Sequence, residues 1–174
     1  MVDSKQALRR AARRAREAAP PSHDFGVVLA ALLQEATRVA SYVPLPSEPG
    51  LDPQQGWLLP IVLRDGDLDW AEHDGSLAAA GFGLPEPTGP RLGVGAIATC
   101  DLVIVPALLV DRAGNRLGKG RGCYDRALVR ATGLTVALVG DDELVQALPT
   151  EPHDIPVHAV ATPSLGVVRL HGKM

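Results

Sequence analysis

Residues Leu102 to Val110 read LVIVPALLV and Thr135 to Val139 read TVALV. Between them lie the run Asn115, Arg116, Leu117, Gly118, Lys119, Gly120, Arg121, Gly122, Cys123, Tyr124, Asp125, Arg126 and a helical stretch from Tyr124 to Ala131. Short apolar segments rich in valine read as strands buried on both faces, and a helix-forming connection between two of them reads as the crossover of a parallel sheet. Working outward, strand character returns at Arg38 to Val43, Leu58 to Leu63 and Val157 to Ala161, with a further helical stretch at Asp141 to Leu148. The alternation predicts a single-domain α/β fold: an open, mostly parallel sheet with helices on both faces, three-layered and Rossmann-like. Such sheets place ligands outside the carboxyl ends of their strands, where the Gly118 loop and the segment Glu151 to His158 fall.

Upstream, Ser4 is a suitable N-cap for a helix to Ala18, which Pro20 and Pro21 stop. Arg9, Arg10, Arg13, Arg14 and Arg16 crowd that helix. Lys5 and Arg9 share a face near its start and can reach one phosphate together; a solvated basic face is the bland alternative. A second helix is predicted from Asp24 to Glu35, with Asp24 near the cap and Val28, Leu29, Leu32 and Leu33 as its apolar stripe. Pro44 to Pro53 and Gly81 to Gly95 are irregular but short, so they read as loops on one core and residues 1–174 as one domain.

The net charge is −3, and no apolar run is long enough to span a bilayer. No apolar segment follows the basic N-terminus, so a cytoplasmic protein is expected. The two cysteines, Cys100 and Cys123, have no metal-binding spacing and are expected as thiols. The six aromatic residues are not interleaved with the arginines, which argues against a nucleic-acid stacking surface. A monomer acting on small molecules is expected.

In the central loop, alternating glycines let backbone N–H groups approach an anion, Arg116, Lys119, Arg121 and Arg126 add positive charge, and Asp125 can hold a divalent cation. A polyphosphate with its metal is the favoured ligand, and a plain flexible turn the alternative. The loop is not a P-loop, because only three residues separate Gly114 from Gly118 and Gly120 follows Lys119. Nor is it a dinucleotide fingerprint, since Cys123 stands where the third glycine is required. Arg91 to Gly95 echoes Arg116 to Gly120 but lacks the third glycine and the following Tyr-Asp-Arg, and is taken as coincidence.

Asp125 and Asp154 would stand at strand ends on separate loops, a pair suited to Mg²⁺ shared with substrate phosphates. A turn aspartate at Asp154 and a helix-terminal carboxylate at Asp125 are the alternatives. His153 and His158 lack a zinc pattern and read as surface histidines. No Gly-x-Ser-x-Gly elbow exists, which argues against covalent acyl chemistry. Glu48 is an acid in a rigid loop after a strand, a position usually solvated.

Together these pieces resemble the 5-formyltetrahydrofolate cyclo-ligase family. The resemblance includes Ser4, Lys5, Leu8 and Arg9, the Tyr42 to Glu48 loop, Leu59-Pro60, and Gly83 to Pro87. It continues through Asp101 to Pro106, Arg116 to Arg126, and His153 to Thr162. It implies conversion of 5-formyltetrahydrofolate into 5,10-methenyltetrahydrofolate with ATP and Mg²⁺, releasing ADP and phosphate. By position, Lys5 and Arg9 would contact ATP, and Arg116, Gly118, Lys119, Gly120, Arg121, Gly122, Tyr124 and Asp125 would cradle it. Asp125 and Asp154 would bind Mg²⁺, and Val43, Glu48 and Tyr124 would hold the folate. Arg116, Lys119 and Tyr124 would serve the reaction itself. Arg121, Cys123 and His158 depart from residues common in the family, a middle glycine, a tyrosine and an aspartate. A non-catalytic nucleotide- or RNA-binding regulator on the same fold is the competing reading, and another ligand-activating or sugar-phosphate enzyme a third.

Overall fold

In the computed structural model, which describes residues 2–21 and 24–171, α1 (Val2–Ala18) and α2 (Gly26–Glu35) precede β1 (Val39–Ala40), β2 (Leu58–Val62), β3 (Leu68–Glu72), β4 (Leu77–Ala79) and β5 (Pro85–Pro87). A 3₁₀ stretch (Val94–Thr99) then leads to β6 (Leu102–Pro106), β7 (Leu109–Asp111), β8 (Arg116–Leu117), α3 (Cys123–Leu128) and β9 (Leu134–Leu138). β10 (Leu144–Val145), β11 (Ala159–Thr162) and β12 (Gly166–Arg169) complete the chain. No described helix is long and apolar enough to cross a membrane.

The main sheet has the order β12-β11-β9-β6-β1-β2-β3. Its five inner strands pair in parallel, while β3 and β12 close the edges antiparallel. Alternate side chains go to opposite faces. Leu102, Ile104, Val136, Leu138, Ala159 and Ala161 pack with Phe25, at the cap of α2, and with Leu29 of α2. Val103, Val105, Ala137, Val139 and Val160 pack on the other face with Ala127 and Leu128 of α3 and Ile97 of the 3₁₀ stretch. The three layers follow from that alternation.

β1 sits between β2 and β6, so the chain leaves β1 toward one side of the sheet and later returns on the other. The crevice at such a reversal, beyond the carboxyl ends of β1 and β6, is where an open α/β sheet can admit a ligand. Tyr42, Val43 and Leu45 line it on one side and Pro106, Ala107 and Leu108 on the other.

The expected strand Leu102 to Val110 is two strands. Pro106 ends β6, because proline offers no N–H to continue the ladder, and β7 joins β8 and β10 in a separate three-stranded sheet. The expected helix Asp141 to Leu148 is a 3₁₀ turn (Asp141–Glu143) followed by β10. There the Glu143 carboxylate accepts from Gly140 N at 2.7 Å and from Arg16, while Leu144 pairs with Val110 of β7. The second helix starts at Gly26 rather than Asp24, with Phe25 at the cap position, no side-chain cap, and the ring buried. The expected strand Arg38 to Val43 is only two residues long, and β4 with β5 forms a hairpin inside the expected irregular stretch Gly81 to Gly95 and just before it.

Candidate active site

A cavity of about 610 Å³ occupies the crevice, and every site residue expected from the sequence lines it. Its cationic wall comes from α1. Lys5 is buried and donates to Asp154 Oδ2 at 2.6 Å and Glu151 Oε2 at 2.9 Å. Burial disfavours the Lys5 ammonium, but the two carboxylates outweigh that and hold its pKa above the usual lysine value. Asp154 is opposed by its own burial yet held below the ordinary carboxylate range by Lys5 and by Glu151 N, which donates to it at 2.7 Å. One turn on, Arg9 Nε donates to Gly118 O at 3.0 Å. Lys5 and Arg9 therefore do not form a solvated face.

Arg16, which sequence reasoning passed over as a site residue, also lines the cavity. It is buried, donating through Nε to Glu143 Oε1 at 2.7 Å and through a terminal nitrogen to Ala107 O at 2.6 Å. A signal for it was present: Lys5, Arg9, Ala12 and Arg16 follow the spacing of one helical stripe.

The glycine-rich loop leaves β8 and enters α3. Its carbonyls are tied down from outside, Gly118 O by Arg9, Lys119 O by Arg13 at 3.2 Å and Arg121 O by Arg126 at 2.9 Å. Among the described residues the N–H groups of Lys119 and Gly120 donate no hydrogen bond. Consecutive backbone N–H groups in such a turn form an anion-binding concavity. Gly120, at φ +105°, and Gly122, at φ +70°, hold left-handed conformations that side chains oppose. A Cβ on Gly118 would stand 2.7 Å from an Arg116 terminal nitrogen, so that glycine keeps room for the guanidinium.

Arg116 threads beneath the loop. It donates to Pro106 O at 3.2 Å, pairs with Asp125 Oδ1 at 3.4 Å and lies over the Tyr124 ring, 5.9 Å from its centre. Arg116 Nε and the Tyr124 hydroxyl are buried without a hydrogen-bond partner among the described residues. Burial pushes the Tyr124 hydroxyl far above the usual tyrosine range, reinforced by the Glu48 charge, so it stays protonated and can donate.

Glu48 is buried rather than solvated. Its Oε2 accepts from Leu45 N at 2.9 Å and its Oε1 pairs with Lys119 Nζ at 2.7 Å, joining the loop after β1 to the glycine-rich loop. The buried Tyr42 hydroxyl donates to Pro49 O and closes that first loop, which also places Val43 at the cavity.

Asp125 Oδ1 accepts from Ile155 N at 3.1 Å, binding the α3 start to the residue after Asp154. Asp125 Oδ2 accepts no hydrogen bond among the described residues. Asp154, Glu151 and His153 each offer a ligand atom within 4.8 Å of the others. Carboxylate oxygens beside an anion cradle are a donor set that fits a hard divalent cation. His153 is largely exposed, and His158 is exposed with its ring nitrogen held by Thr135. Cys123 packs partly buried against the core beside Tyr124. The Arg91 to Gly95 echo lies away from the cavity, where Gly93 N donates to Asp69.

Residues 3–163 match the family model described as the 5-formyltetrahydrofolate cyclo-ligase family. A 5-formyltetrahydrofolate cyclo-ligase of Mycolicibacterium smegmatis is 43% identical over 148 residues, which cover 76% of each chain. The Escherichia coli K12 cyclo-ligase is 45% identical over 67 residues, 37% of each chain. The structure of Aquifex aeolicus 5,10-methenyltetrahydrofolate synthetase superposes with a TM-score of 0.72 at 25% identity, covering 98% of this chain and 94% of that one. The chain belongs to the 5-formyltetrahydrofolate cyclo-ligase family.

Proposed function

We propose that the protein cyclises 5-formyltetrahydrofolate to 5,10-methenyltetrahydrofolate with ATP and Mg²⁺, releasing ADP and phosphate. The observation that carries this reading is the meeting, in one cavity, of an anion cradle, two aspartates and an apolar wall. The formyl oxygen is a weak nucleophile, so positioning and charge neutralisation must do most of the catalysis. The Lys119 and Gly120 N–H groups, with Lys5, Arg9, Arg116, Lys119 and Arg121, orient the triphosphate and offset its charge. Asp125 and Asp154 would hold Mg²⁺, which would offset the negative charge of the phosphates. The formyl oxygen takes the γ-phosphoryl group and ADP leaves. N10 of the folate then attacks the formyl carbon and loses its proton, and phosphate departs with the formyl oxygen. Tyr124 donates its hydroxyl proton as a hydrogen bond within this cleft, and Val43 and Glu48 hold the folate.

The test is appearance of the methenyl chromophore from 5-formyltetrahydrofolate, ATP and Mg²⁺. Folded protein that gives no absorbance rise refutes the proposal. Asp125→Asn and Asp154→Asn should each lose turnover with the fold intact, and unchanged activity removes that residue from the metal set. Lys5, Arg9 and Arg16 of the basic helix are engaged inside the cavity, which weighs against the RNA-binding reading, while Arg10, Arg13 and Arg14 are exposed.

A further inference from the structure

Five carboxylates line the cavity, and four are ion-paired: Glu48 with Lys119, Asp125 with Arg116, and Glu151 and Asp154 with Lys5. Glu86 has no ion pair among the described residues. It stands on β5, half-buried, with Oε1 accepting from Val62 N at 3.1 Å. That bond fixes the carboxylate, and Oε2 accepts nothing among the described residues. Its surroundings are apolar. Val62 pairs with Leu68 across β2 and β3, and Pro60, Leu84 and Pro85 complete the same wall of the cavity. The cationic groups belong to α1 and the glycine-rich loop, which are different elements from this wall.

A carboxylate with no ion pair, set against an apolar wall, is complementary to a ligand that is flat, apolar on its faces and equipped with N–H donors at one edge. A reduced pterin has that form, since its 2-amino group and ring N3–H lie side by side on the pyrimidine edge. We propose that Glu86 is the specificity residue for the aminopyrimidine edge of the substrate. This rests on the folate reading above. The pyrimidine edge is the end of the bicycle remote from N10, so anchoring it at Glu86 turns N5, its formyl group and N10 toward Tyr124 and the glycine-rich loop.

Glu86→Gln is the discriminating variant. Its amide oxygen can keep the Val62 bond, while its NH₂ group meets the pterin donors with another donor. Binding to folded protein, checked by circular dichroism, is measured by calorimetry for 5-formyltetrahydrofolate and for its analogue with methyl in place of the 2-amino group. Loss of a charge-assisted hydrogen bond corresponds to about a tenfold or greater rise in Kd. The wild type should prefer the natural substrate by at least about that factor, and the variant should bind both ligands with the weaker affinity. The KM for ATP should stay unchanged. Equal preference in wild type and variant, with folate still bound, overturns this assignment alone. Folded wild type that binds no folate overturns the folate reading and this assignment with it.

Discussion

Replacing Arg16 with methionine removes a guanidinium that is buried with 5% of its side chain exposed, while Glu143 opposite it retains 15%. Arg16 makes a two-point contact with Glu143, Nε to Oε1 at 2.7 Å and a terminal nitrogen to Oε2 at 3.0 Å, besides its bond to Ala107 O. Removing one partner of a buried pair costs about 3–5 kcal/mol, because the other charge is left uncompensated. Glu143 keeps the Gly140 N–H and some water access, so the low end applies, about 3 kcal/mol. For a chain of this length that corresponds to a fall in melting temperature of roughly 6–12 °C. Glu143→Leu added to Arg16→Met removes the stranded charge, and such apolar replacement of both partners is often nearly neutral. The double variant should therefore be more stable than Arg16→Met alone. Urea unfolding followed by far-ultraviolet circular dichroism, with an unchanged slope, gives the cycle. A loss below about 1 kcal/mol for Arg16→Met, or simple additivity in the double variant, refutes the reasoning.

Gly114→Ala should destabilise by at least about 1–3 kcal/mol, since Gly114 has φ +89° and a Cβ there would stand 2.5 Å from Val157 O. Gly75→Ala, at φ +99° with open space around the Cβ, should cost less, and urea midpoints compare the two. The Asp101 carboxyl is lowered to about 2 by the backbone N–H of Thr37, then that of Arg38. Its stabilisation is therefore complete above the ordinary carboxylate pKa of about 4 and is lost as the pH falls toward 2. The stability difference between wild type and Asp101→Ala should shrink across that window in acid titrations. Lys119 and Glu48, assigned to different substrates, pair with each other at 2.7 Å. A non-hydrolysable ATP analogue should thus change folate affinity in wild type but not in Glu48→Gln, as read by calorimetry.

The valine-rich strands β6, β9 and β11 were legible because both their faces are buried, which leaves no polar residue to blur the pattern. β3 was not, since Asp69 interrupts Leu68, Trp70 and Ala71 and Glu72 follows them; the Asp69 carboxylate turns back to accept from Trp70 N and Gly93 N. The stretch after β9 was misread for a non-local reason. Acidic Asp141, Asp142 and Glu143 suit a helix start, but Glu143 is held by Arg16, which lies 127 positions away. The glycine-rich loop and the Asp154 segment stood out because each is a contiguous run of residues, although the partners that hold them, Lys5, Arg9 and Arg13, lie more than 100 positions away. Glu86 was invisible as a site residue, because only the pairing of β4 with β5 and the approach of β5 to β2 bring it to the cavity.

α1 inverts the usual logic of a surface helix, and the strand ends explain why. Its inward stripe is Lys5, Arg9, Ala12 and Arg16, because the surface beneath it is made of acceptors: the Asp154, Glu151 and Glu143 carboxylates and the carbonyls of Gly118 and Ala107. An apolar stripe there would leave those groups unpaired, which is costly when they are buried. Lys5 and Arg16 are eleven residues apart, about 16 Å along a helix, so one rigid element ties the Glu151 segment at one end to the 3₁₀ turn at Glu143 at the other. Arg9 fixes the glycine-rich loop between them. The spacing of those three cations thus sets the relative positions of three loops that are far apart in the chain. This explains why a helix whose charge run alone also allows a solvated basic face is the element on which the cavity's cationic wall depends.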